Sequence, residues 1–351
     1  MVFLKLHLQP KILRKPTSPD HTIMFQCLQQ LPKYWGNRNA ITYLLWPFEI
    51  GYKIAWRLRQ WAVSLGWIQR HRVNATVIVV GNVVAGGGGK TPLTMAIVQR
   101  LVMQGFHVGV VSRGYGRTLA SLQIVNAHSL ASEVGDEPLM VFQKCSVPVV
   151  VGAQRVEASR HLLNLFPAVN VLVCDDGLQH IALQRDIEIC VMDATGLGNG
   201  HLLPAGPLRE PWPRQIDLLL HTHQRTLPQG FESRRELGTF ALTSQGKQMS
   251  LSDLKLQAVE VVSGIAKPEA FLAMLKQGQF QIQCSTALPD HDDFANWQPL
   301  HPELPLLCTE KDAVKLWKRF PQALAVPLVF EPEEAFWKAF DQLFLSRHRY
   351  H

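Results

Sequence analysis

Short apolar runs rich in β-branched residues alternate with longer segments of helical periodicity from residue 76 onward. The predicted strands are Thr76–Gly81, His107–Ser112, Val147–Val151, Val169–Cys174 and Ile187–Asp193. The predicted helices between them are Thr91–Gln104 and Arg155–Phe166. Strands that are apolar throughout and separated by helices are typical of a parallel sheet with helices on both faces. The pattern therefore predicts an α/β fold with a mostly parallel sheet.

A second series of the same kind follows a stretch rich in proline and glycine, Gly196–Pro213. Its predicted elements are Ile216–His221, Ala258–Val262, a helix from Pro268, Leu304–Cys308, a helix from Glu310 and Ala323–Phe330. We therefore predict a larger domain over residues 74–213 and a smaller C-terminal α/β domain over residues 214–351.

The segment before residue 74 contains an amphipathic pattern. Between Pro47 and Ile68, polar residues recur at steps of three or four, namely Glu49, Lys53, Arg57, Gln60 and Ser64. These steps place them on one narrow stripe of a helix whose other sides are apolar. The segment has no uncharged run of the roughly 20 residues that a transmembrane helix needs. Such a helix packs on the protein's own core, lies in a membrane interface or binds single-stranded nucleic acid.

Charge separates this N-terminal segment from the rest of the chain. Residues 1–73 contain eleven Lys and Arg and two acids, a net charge of +9, whereas the whole chain of 351 residues carries +7. Five of the nine Trp and three of the five Tyr also lie there. Basic residues mixed with Trp and Tyr favour a membrane–water interface. We therefore favour membrane association through residues 33–68 and expect no nucleic-acid partner.

Two further expectations concern the N-terminus and the cysteines. Residues 1–23 are basic, contain proline and lack periodicity, so we predict a disordered extension there and a membrane-associating helical segment over residues 24–73.

The six cysteines include no C-x-x-C pair. This spacing fits neither a zinc site nor a disulfide framework, which indicates a reducing compartment.

The first predicted strand leads into a glycine loop, Lys-Thr and a helix in the string VIVVGNVVAGGGGKTPLTMAIVQRL. Glycines let backbone N–H groups approach a phosphate chain, and a helix N-terminus adds roughly half a positive charge. Lys90 would reach the β- and γ-phosphates, and the Thr91 hydroxyl would ligate Mg²⁺. The strict G-x-x-x-x-G-K-[ST] pattern has glycine at the position of Val84. The predicted nucleotide site comprises Val84, Ala85, Gly86, Gly87, Gly88, Gly89, Lys90 and Thr91.

Two adjacent carboxylates, Asp175 and Asp176, follow the predicted strand Val169–Cys174. A single acid after a strand is often only a helix cap. Two neighbouring carboxylates beside a phosphate site repel each other unless a cation lies between them. The pair therefore predicts a metal site and a part in catalysis.

Polar clusters also lie on three loops that follow predicted strands, where open α/β sheets form their sites. The loops are SRGYGR with Arg113 and Tyr115, EVGDEP with Asp136, and GLGNGHLLPAGPLREP with Asn199 and Arg209. Taken singly, each loop is also consistent with a charged turn. In the second series, PDHDDF places His291 among three aspartates, which could raise its pKa and orient it as a base.

Together these strings resemble the tetraacyldisaccharide 4′-kinase family, whose members phosphorylate a lipid-linked disaccharide with ATP in lipid A synthesis. The resemblance runs from about Leu31 to Phe344. Its specific strings are GNVVAGGGGKTP, VVSRGYGR, GDEP, GAQRVEA, DDGLQH, GNGHLLPAGPLREP, LPDHDDF and TEKDAVK. The chain departs from the family loop at Ala85 and Gly88, where a Val and a polar residue are usual.

The resemblance implies a P-loop NTPase-like kinase domain, a smaller C-terminal α/β domain and a membrane-associating N-terminal helix. It implies that Asp136 and His291 form a dyad that removes the proton from the sugar 4′-hydroxyl. It also implies that Asp175 and Asp176 serve Mg²⁺ and transition-state alignment, and that Lys90 neutralises the transferring phosphoryl group.

ATP would then be the phosphate donor and Mg²⁺ the cofactor. Candidate contacts to the lipid disaccharide are Arg113, Tyr115, Arg155, Asn199 and Arg209. The resemblance further implies a peripheral or monotopic enzyme at the cytoplasmic face of the inner membrane, without an obligate protein partner.

The alternative is a membrane-recruited P-loop ATPase switch that positions protein partners. Such switches share the glycine-rich loop and an amphipathic anchor. Their loop has a Lys at the position of Ala85, and they give no reason for the PDH string around His291.

Overall fold

Two β-sheets and the helices that cover them form the fold. The structure is a computed structural model and describes residues 31–348 apart from residues 87, 223, 266 and 291. The predicted extension over residues 1–23 lies outside this range. A 3₁₀ helix, Leu31–Tyr34, opens the described chain.

The described residues form nine α-helices: α1 (Ala40–Ser64), α2 (Lys90–Met103), α3 (Ala131–Val134), α4 (Asp136–Cys145), α5 (Arg155–Leu165), α6 (Leu251–Leu254), α7 (Pro268–Gln277), α8 (Glu310–Leu316) and α9 (Glu334–Arg347). They also form the strands β1 (Thr76–Gly81), β2 (Val108–Ser112), β3 (Gln123–Ile124), β4 (Val149–Val151), β5 (Val171–Asp175), β6 (Ile187–Met192), β7 (Leu218–His221), β8 (Phe231–Leu237), β9 (Phe240–Leu242), β10 (Gln248–Ser250), β11 (Ala258–Ser263), β12 (Gln281–Ala287), β13 (Leu306–Thr309), β14 (Leu324–Val326) and β15 (Leu328–Pro332).

The larger sheet has nine strands in the order β3-β4-β2-β5-β1-β6-β7-β8-β15. Its pairs are parallel except at the two edges, where β3 and β15 run antiparallel to β4 and β8. Strand β1 lies between β5 and β6, and Val80 of β1 is in register with Asp175 of β5. The carboxyl ends of β1 and β5 therefore meet at one edge of the sheet.

Helices cover both faces of this sheet. On one face, Leu93 and Ile97 of α2, Leu139 of α4 and Phe340 of α9 are buried in one core. On the other face, Leu162 of α5 packs with apolar side chains from the loops. This arrangement confirms the predicted P-loop-like α/β class with a mostly parallel sheet. The five strands predicted before residue 200 all form, with ends within two residues of those expected.

The smaller sheet has six strands in the order β10-β9-β14-β13-β11-β12. Strands β11 to β14 pair in parallel, and β9 and β10 add an antiparallel edge. Phe271 and Leu275 of α7 pack on one face, and Ala313 and Leu316 of α8 lie in the other core. A second α/β unit is thus present.

The two sheets do not divide at residue 213, where we predicted a domain boundary. Strands β7, β8 and β15 extend the larger sheet. Phe336, Phe340 and Phe344 of α9 are buried in the core of that sheet. The smaller sheet is formed by residues 240–326, so the chain leaves the first unit after β8 and returns to it at β15. The alternation of apolar and polar residues reveals a strand but not the sheet it joins, which explains the difference.

Helix α1 begins seven residues before the predicted segment 47–68. Asn39 caps it, because the Thr42 N–H donates to Asn39 Oδ1 at 3.1 Å. The helix ends before Gly66, which has φ +76°. Among the described residues, no helix has the length and apolar character needed to cross a bilayer.

The side of α1 that faces the protein carries Glu49, Tyr52 and Gln60, whereas most of its large apolar side chains face outward. Glu49 Oε2 lies 2.7 Å from His201 Nδ1, the Tyr52 hydroxyl donates to the Arg209 carbonyl at 2.7 Å, and Arg59 Nη2 donates to the Gln179 carbonyl at 3.1 Å. The exposed large apolar side chains are Tyr43, Leu44, Trp46, Phe48, Ile50, Ile54, Leu58, Trp61, Leu65 and Trp67. A helix packed on its own core by its apolar side would show the reverse arrangement.

Candidate active site

The phosphate loop joins β1 to α2 and lies at the carboxyl edge of the larger sheet. Gly89 has φ +105°, and a β-carbon there would lie 2.4 Å from Thr222 Cγ2, so this position requires glycine. Lys90 begins α2, and its Nζ lies 3.4 Å from Asn82 Oδ1. Gly87 lies outside the described residues. The other predicted loop residues form the turn around the N-terminus of α2, as a phosphate site requires.

Asp175 lies at the end of β5, next to the start of α2. Its Oδ2 accepts the Thr91 hydroxyl at 3.2 Å and its Oδ1 accepts the Thr94 hydroxyl at 3.1 Å. Burial, with the negative charges of Glu137 and Asp176, raises the pKa of Asp175 to about 7. This carboxyl therefore exchanges its proton near neutral pH.

Asp176 has the same neighbours in sequence but a different electrostatic environment. Lys90 Nζ lies 3.6 Å from its Oδ1, and Arg209 Nη1 donates to the same oxygen at 3.0 Å. Burial acts to raise the pKa of Asp176, but Lys90 and Arg209 hold it below its usual value. The two adjacent carboxyl groups therefore differ in pKa: Asp176 is ionised, whereas Asp175 titrates near neutral pH.

Asp136 is brought to the same region by tight packing of two loops. It begins α4 directly after Gly135, which has φ +95° and whose β-carbon would lie 3.1 Å from Gly114 Cα. Lys315 Nζ of α8 donates to Asp136 Oδ2 at 2.8 Å and to the Asp292 carbonyl at 3.2 Å. His291 lies outside the described residues, so its predicted pairing with Asp136 stays a prediction. The second unit nevertheless reaches Asp136 through Lys315.

A cavity of about 1110 Å³ extends from Asp176 to helix α1. Tyr52, Arg59, Arg113, Tyr115 and Arg209 contribute to its lining. Arg113 and Tyr115 are exposed, as expected for residues that meet a ligand. The predicted substrate residues 113, 115 and 209 therefore border one space next to the carboxylate pair.

Two of the predicted substrate residues do not border this cavity. Arg155 is buried, and it donates from Nη1 to the Gly152 carbonyl at 2.6 Å and from Nη2 to the Asp176 carbonyl at 3.5 Å. Asn199 is buried as well, and its Nδ2 donates to Thr42 Oγ1 at 3.2 Å and to the Ala205 carbonyl at 2.9 Å. Both side chains hold loops in place and neither borders the cavity beside Asp176, so their contact with the substrate stays a prediction.

Several polar residues of the site were not predicted. Gln179 Nε2 donates to the Asn82 carbonyl at 2.9 Å and so ties the carboxylate loop to the phosphate loop. Asp193 Oδ2 accepts the Gly88 N–H at 3.3 Å and Lys267 Nζ at 2.7 Å. Asn82, Gln179 and Asp193 each lie in or beside a string singled out above. Lys267 and Lys315 come from the second unit. Lys315 ends the string TEKDAVK, but neither lysine was itself predicted to contact the first unit.

The sequence model of LpxK, tetraacyldisaccharide-1-P 4'-kinase, matches residues 41–345. A tetraacyldisaccharide 4'-kinase of Acidovorax ebreus (strain TPSY) is 47% identical over 317 residues, which cover 89% of this chain and 94% of that protein. One of Shewanella sp. (strain MR-4) is 39% identical over 326 residues, with 90% and 94% covered.

A solved structure agrees with these sequence matches. The crystal structure of LpxK from Aquifex aeolicus in complex with ATP is similar to this fold, with a TM-score of 0.77 and 28% sequence identity. The similarity covers 88% of this chain and 99% of that chain. The chain belongs to the tetraacyldisaccharide-1-P 4'-kinase (LpxK) family.

Proposed function

We propose that this protein transfers the γ-phosphate of ATP to the 4′-hydroxyl of a tetraacyldisaccharide 1-phosphate in the synthesis of lipid A. The observation that carries the proposal is the meeting of the phosphate loop and the Asp175–Asp176 pair beside one large cavity. Membership of the family supports the same reaction. In phosphoryl transfer the protein mainly positions the reactants and neutralises charge, and these residues are suited to that task.

Mg²⁺ fits the residues next to the phosphate loop. The Thr91 hydroxyl and the Asp175 carboxylate lie 3.2 Å apart, and Asp176 follows directly. In the described part of the chain, no cluster of three His, Cys, Asp or Glu side chains has a metal-binding arrangement. Mg²⁺ usually needs only one or two carboxylates, because substrate phosphates and water complete its coordination. When bound, the ion would neutralise charge on the β- and γ-phosphates.

The pKa of Asp175 predicts how Mg²⁺ binding depends on pH. This pKa rises from 3.8 to about 7 in the folded protein, so between about pH 4 and pH 7 the folded state keeps a proton that the unfolded state has lost. Without metal, the free energy of unfolding therefore falls as the pH rises through this range. Mg²⁺ requires the ionised form. We therefore expect the apparent Mg²⁺ affinity, measured in the presence of ATP, to rise about tenfold from pH 6 to pH 8. Asp175→Asn should abolish this rise, and an unchanged rise in that variant would contradict the assignment.

Deprotonation of the acceptor hydroxyl is assigned to Asp136 together with His291. Lys315 supports this assignment, because its Nζ bonds to Asp136 Oδ2 and to the carbonyl of Asp292, the residue after His291. The carboxylate would orient the imidazole and stabilise the imidazolium formed when the 4′-hydroxyl loses its proton. A dyad drawn from both units would assemble only when the units meet.

The cavity between Asp176 and α1 is the proposed site of the sugar headgroup. Arg113 and Tyr115 line it as exposed side chains, and Arg209 links it to Asp176. Arginine suits an anionic sugar phosphate because its guanidinium donates two parallel hydrogen bonds. The acyl chains would leave the cavity along α1 toward the bilayer.

Helix α1 is the proposed membrane contact. Its exposed Trp, Tyr and aliphatic side chains face away from the protein, while Lys53 and Arg57 are exposed beside them. An apolar face flanked by cationic side chains suits an anionic membrane surface. Because the acyl-chain substrate stays in the membrane, we place the enzyme at the cytoplasmic face of the inner membrane as a peripheral or monotopic protein.

Point variants on the outward face of α1 test this contact. The triple variant Ile54→Ser, Leu58→Ser and Trp61→Ser is expected to lower binding to anionic phospholipid vesicles at least about tenfold, since each buried side chain contributes about 1 kcal/mol or more. The Kd for ATP should not change. The control changes three other exposed side chains, Met103→Ser, Leu256→Ser and Leu300→Ser. Equal losses in both triple variants would contradict a specific membrane face.

Transfer of ³²P from γ-labelled ATP to a tetraacyldisaccharide 1-phosphate in detergent micelles tests the proposed function. We expect label on the lipid that depends on Mg²⁺. Hydrolysis of ATP without labelled lipid would favour the membrane-recruited ATPase switch instead. Absence of any turnover would contradict both activities.

A further inference from the structure

Arg235 is a partly buried cation at the phosphate loop that the reaction described above does not use. It lies on β8, between β7 and β15 in the larger sheet. Its Nη1 lies 3.9 Å from the position that a β-carbon on Gly88 would take, and its Nη2 lies 3.4 Å from that on Gly89. The guanidinium therefore lies against the two glycines that precede Lys90.

The surrounding residues neutralise this charge poorly. Arg235 Nε is buried and has no hydrogen-bond partner among the described residues. Asp193 is the carboxylate whose charge acts on it, but that carboxylate already pairs with Lys267 at 2.7 Å and accepts the Gly88 N–H at 3.3 Å. Burial lowers the pKa of Arg235 and Asp193 opposes this effect, yet arginine remains protonated in proteins.

Other positive charge lies close by. Gly89 is the N-cap of α2, whose N-terminus carries roughly half a positive charge, and Lys90 follows it. The ring of Phe330 lies 5.8 Å from the guanidinium carbon and offers only a modest cation–π attraction. Positive groups gathered in a partly buried region are unfavourable unless an anion offsets them. Their convergence indicates a polyanionic ligand.

We propose that Arg235 is a positioning residue of the nucleotide site, which supports the loop at Gly88 and Gly89 and adds positive charge that the bound triphosphate neutralises. The inference rests on the proposed ATP-dependent function. Because the attraction is electrostatic, its effect scales with ligand charge, and it is largest for ATP, smaller for ADP and smallest for AMP.

Calorimetric titration of the full-length protein with ATP, ADP and AMP tests the proposal. Arg235→Met keeps a long side chain beside Phe330 but removes the charge, and Arg235→Lys keeps the charge. We expect Arg235→Met to raise the Kd for ATP about tenfold or more and the Kd for AMP less than about twofold, while Arg235→Lys stays within about threefold for ATP. Arg234→Met is the matched control, since this exposed neighbour points to the other side of the strand.

Thermal unfolding separates this role from a purely structural one. Removing a partly buried charge that lacks a close partner should leave the Tm of Arg235→Met unchanged or higher. A lower Tm with equal weakening for all three nucleotides, or failure of this variant to fold, would overturn the proposal. Unchanged ATP binding in Arg235→Met would overturn it while leaving the proposed function intact. Absence of ATP binding by the wild type would overturn the proposed function itself and the inference with it.

Discussion

Replacing Asp136 by asparagine is expected to lower kcat for phosphorylation of the lipid disaccharide by about 10²–10⁴-fold, the usual contribution of general base assistance. The Kd for ATP should change little, because Asp136 begins α4 and lies outside the phosphate loop. Asparagine retains an oxygen that can accept the hydrogen bond from Lys315 Nζ, now 2.8 Å from Asp136 Oδ2. Initial rates at saturating ATP, with ATP affinity measured separately, check both expectations.

His291→Ala is expected to reduce kcat by a similar factor, and the double variant should be little worse than either single one. Groups that act as a unit show such non-additive losses. Asp341→Asn is the control, because that carboxylate pairs with Arg100 on α2. A loss of less than about tenfold in Asp136→Asn, or an equal increase in the Kd for ATP, would contradict the assignment of Asp136 to the proton-accepting dyad.

The central strands were predictable because burial on both faces leaves a continuous apolar run. Every residue of β1 and β5 is buried, and their sequences, TVIVVG and VLVCD, contain few polar side chains. Strands β8 and β12 were missed because FESRREL and QIQCSTA mix polar and apolar residues, as partly exposed strands do. Their place in the fold depends on partners far away in sequence, which no local pattern reveals.

The same distinction between local and distant contacts applies to the site. The phosphate loop and the Asp175–Asp176 pair lie within short strings, and neighbouring parallel strands bring the two strings together. Lys315 and Arg235 come from distant elements, so their contribution depended on tertiary structure. Arg155 shows the opposite case. It lies near the site in sequence, but the sequence did not indicate that its side chain points into the protein.

Helix α1 connects the proposed membrane contact to the loops of the candidate site. Tyr52 donates to the carbonyl of Arg209, and Arg209 in turn donates to Asp176. Arg59 donates to the carbonyl of Gln179, which holds the phosphate loop at Asn82. A helix docked through such polar contacts keeps its apolar side exposed, and under the proposed membrane contact it would fix the orientation of the cavity toward the bilayer.

Lys90→Met is expected to lower kcat by about 10²–10³-fold, because the ammonium group would stabilise charge that develops on the transferring phosphoryl oxygens. The methionine side chain retains most of the packing volume, so the fold should be preserved. Lys338→Met, which removes an exposed ion pair with Glu334, is the matched control and should leave kcat unchanged. Steady-state kinetics with both variants measures the difference.

The pH profile of Lys90→Met gives an independent check on the electrostatics of the carboxylate pair. Lys90 lowers the pKa of both Asp175 and Asp176, so its removal raises both values. A larger fraction of Asp175 is then protonated at pH 7, where the wild-type group already titrates. The acid limb of the residual activity should therefore move to higher pH, since the metal requires the ionised carboxylate. An acid limb that stays in place, with kcat reduced, would mean that Lys90 acts on the phosphates alone and that the proton on Asp175 does not limit the reaction.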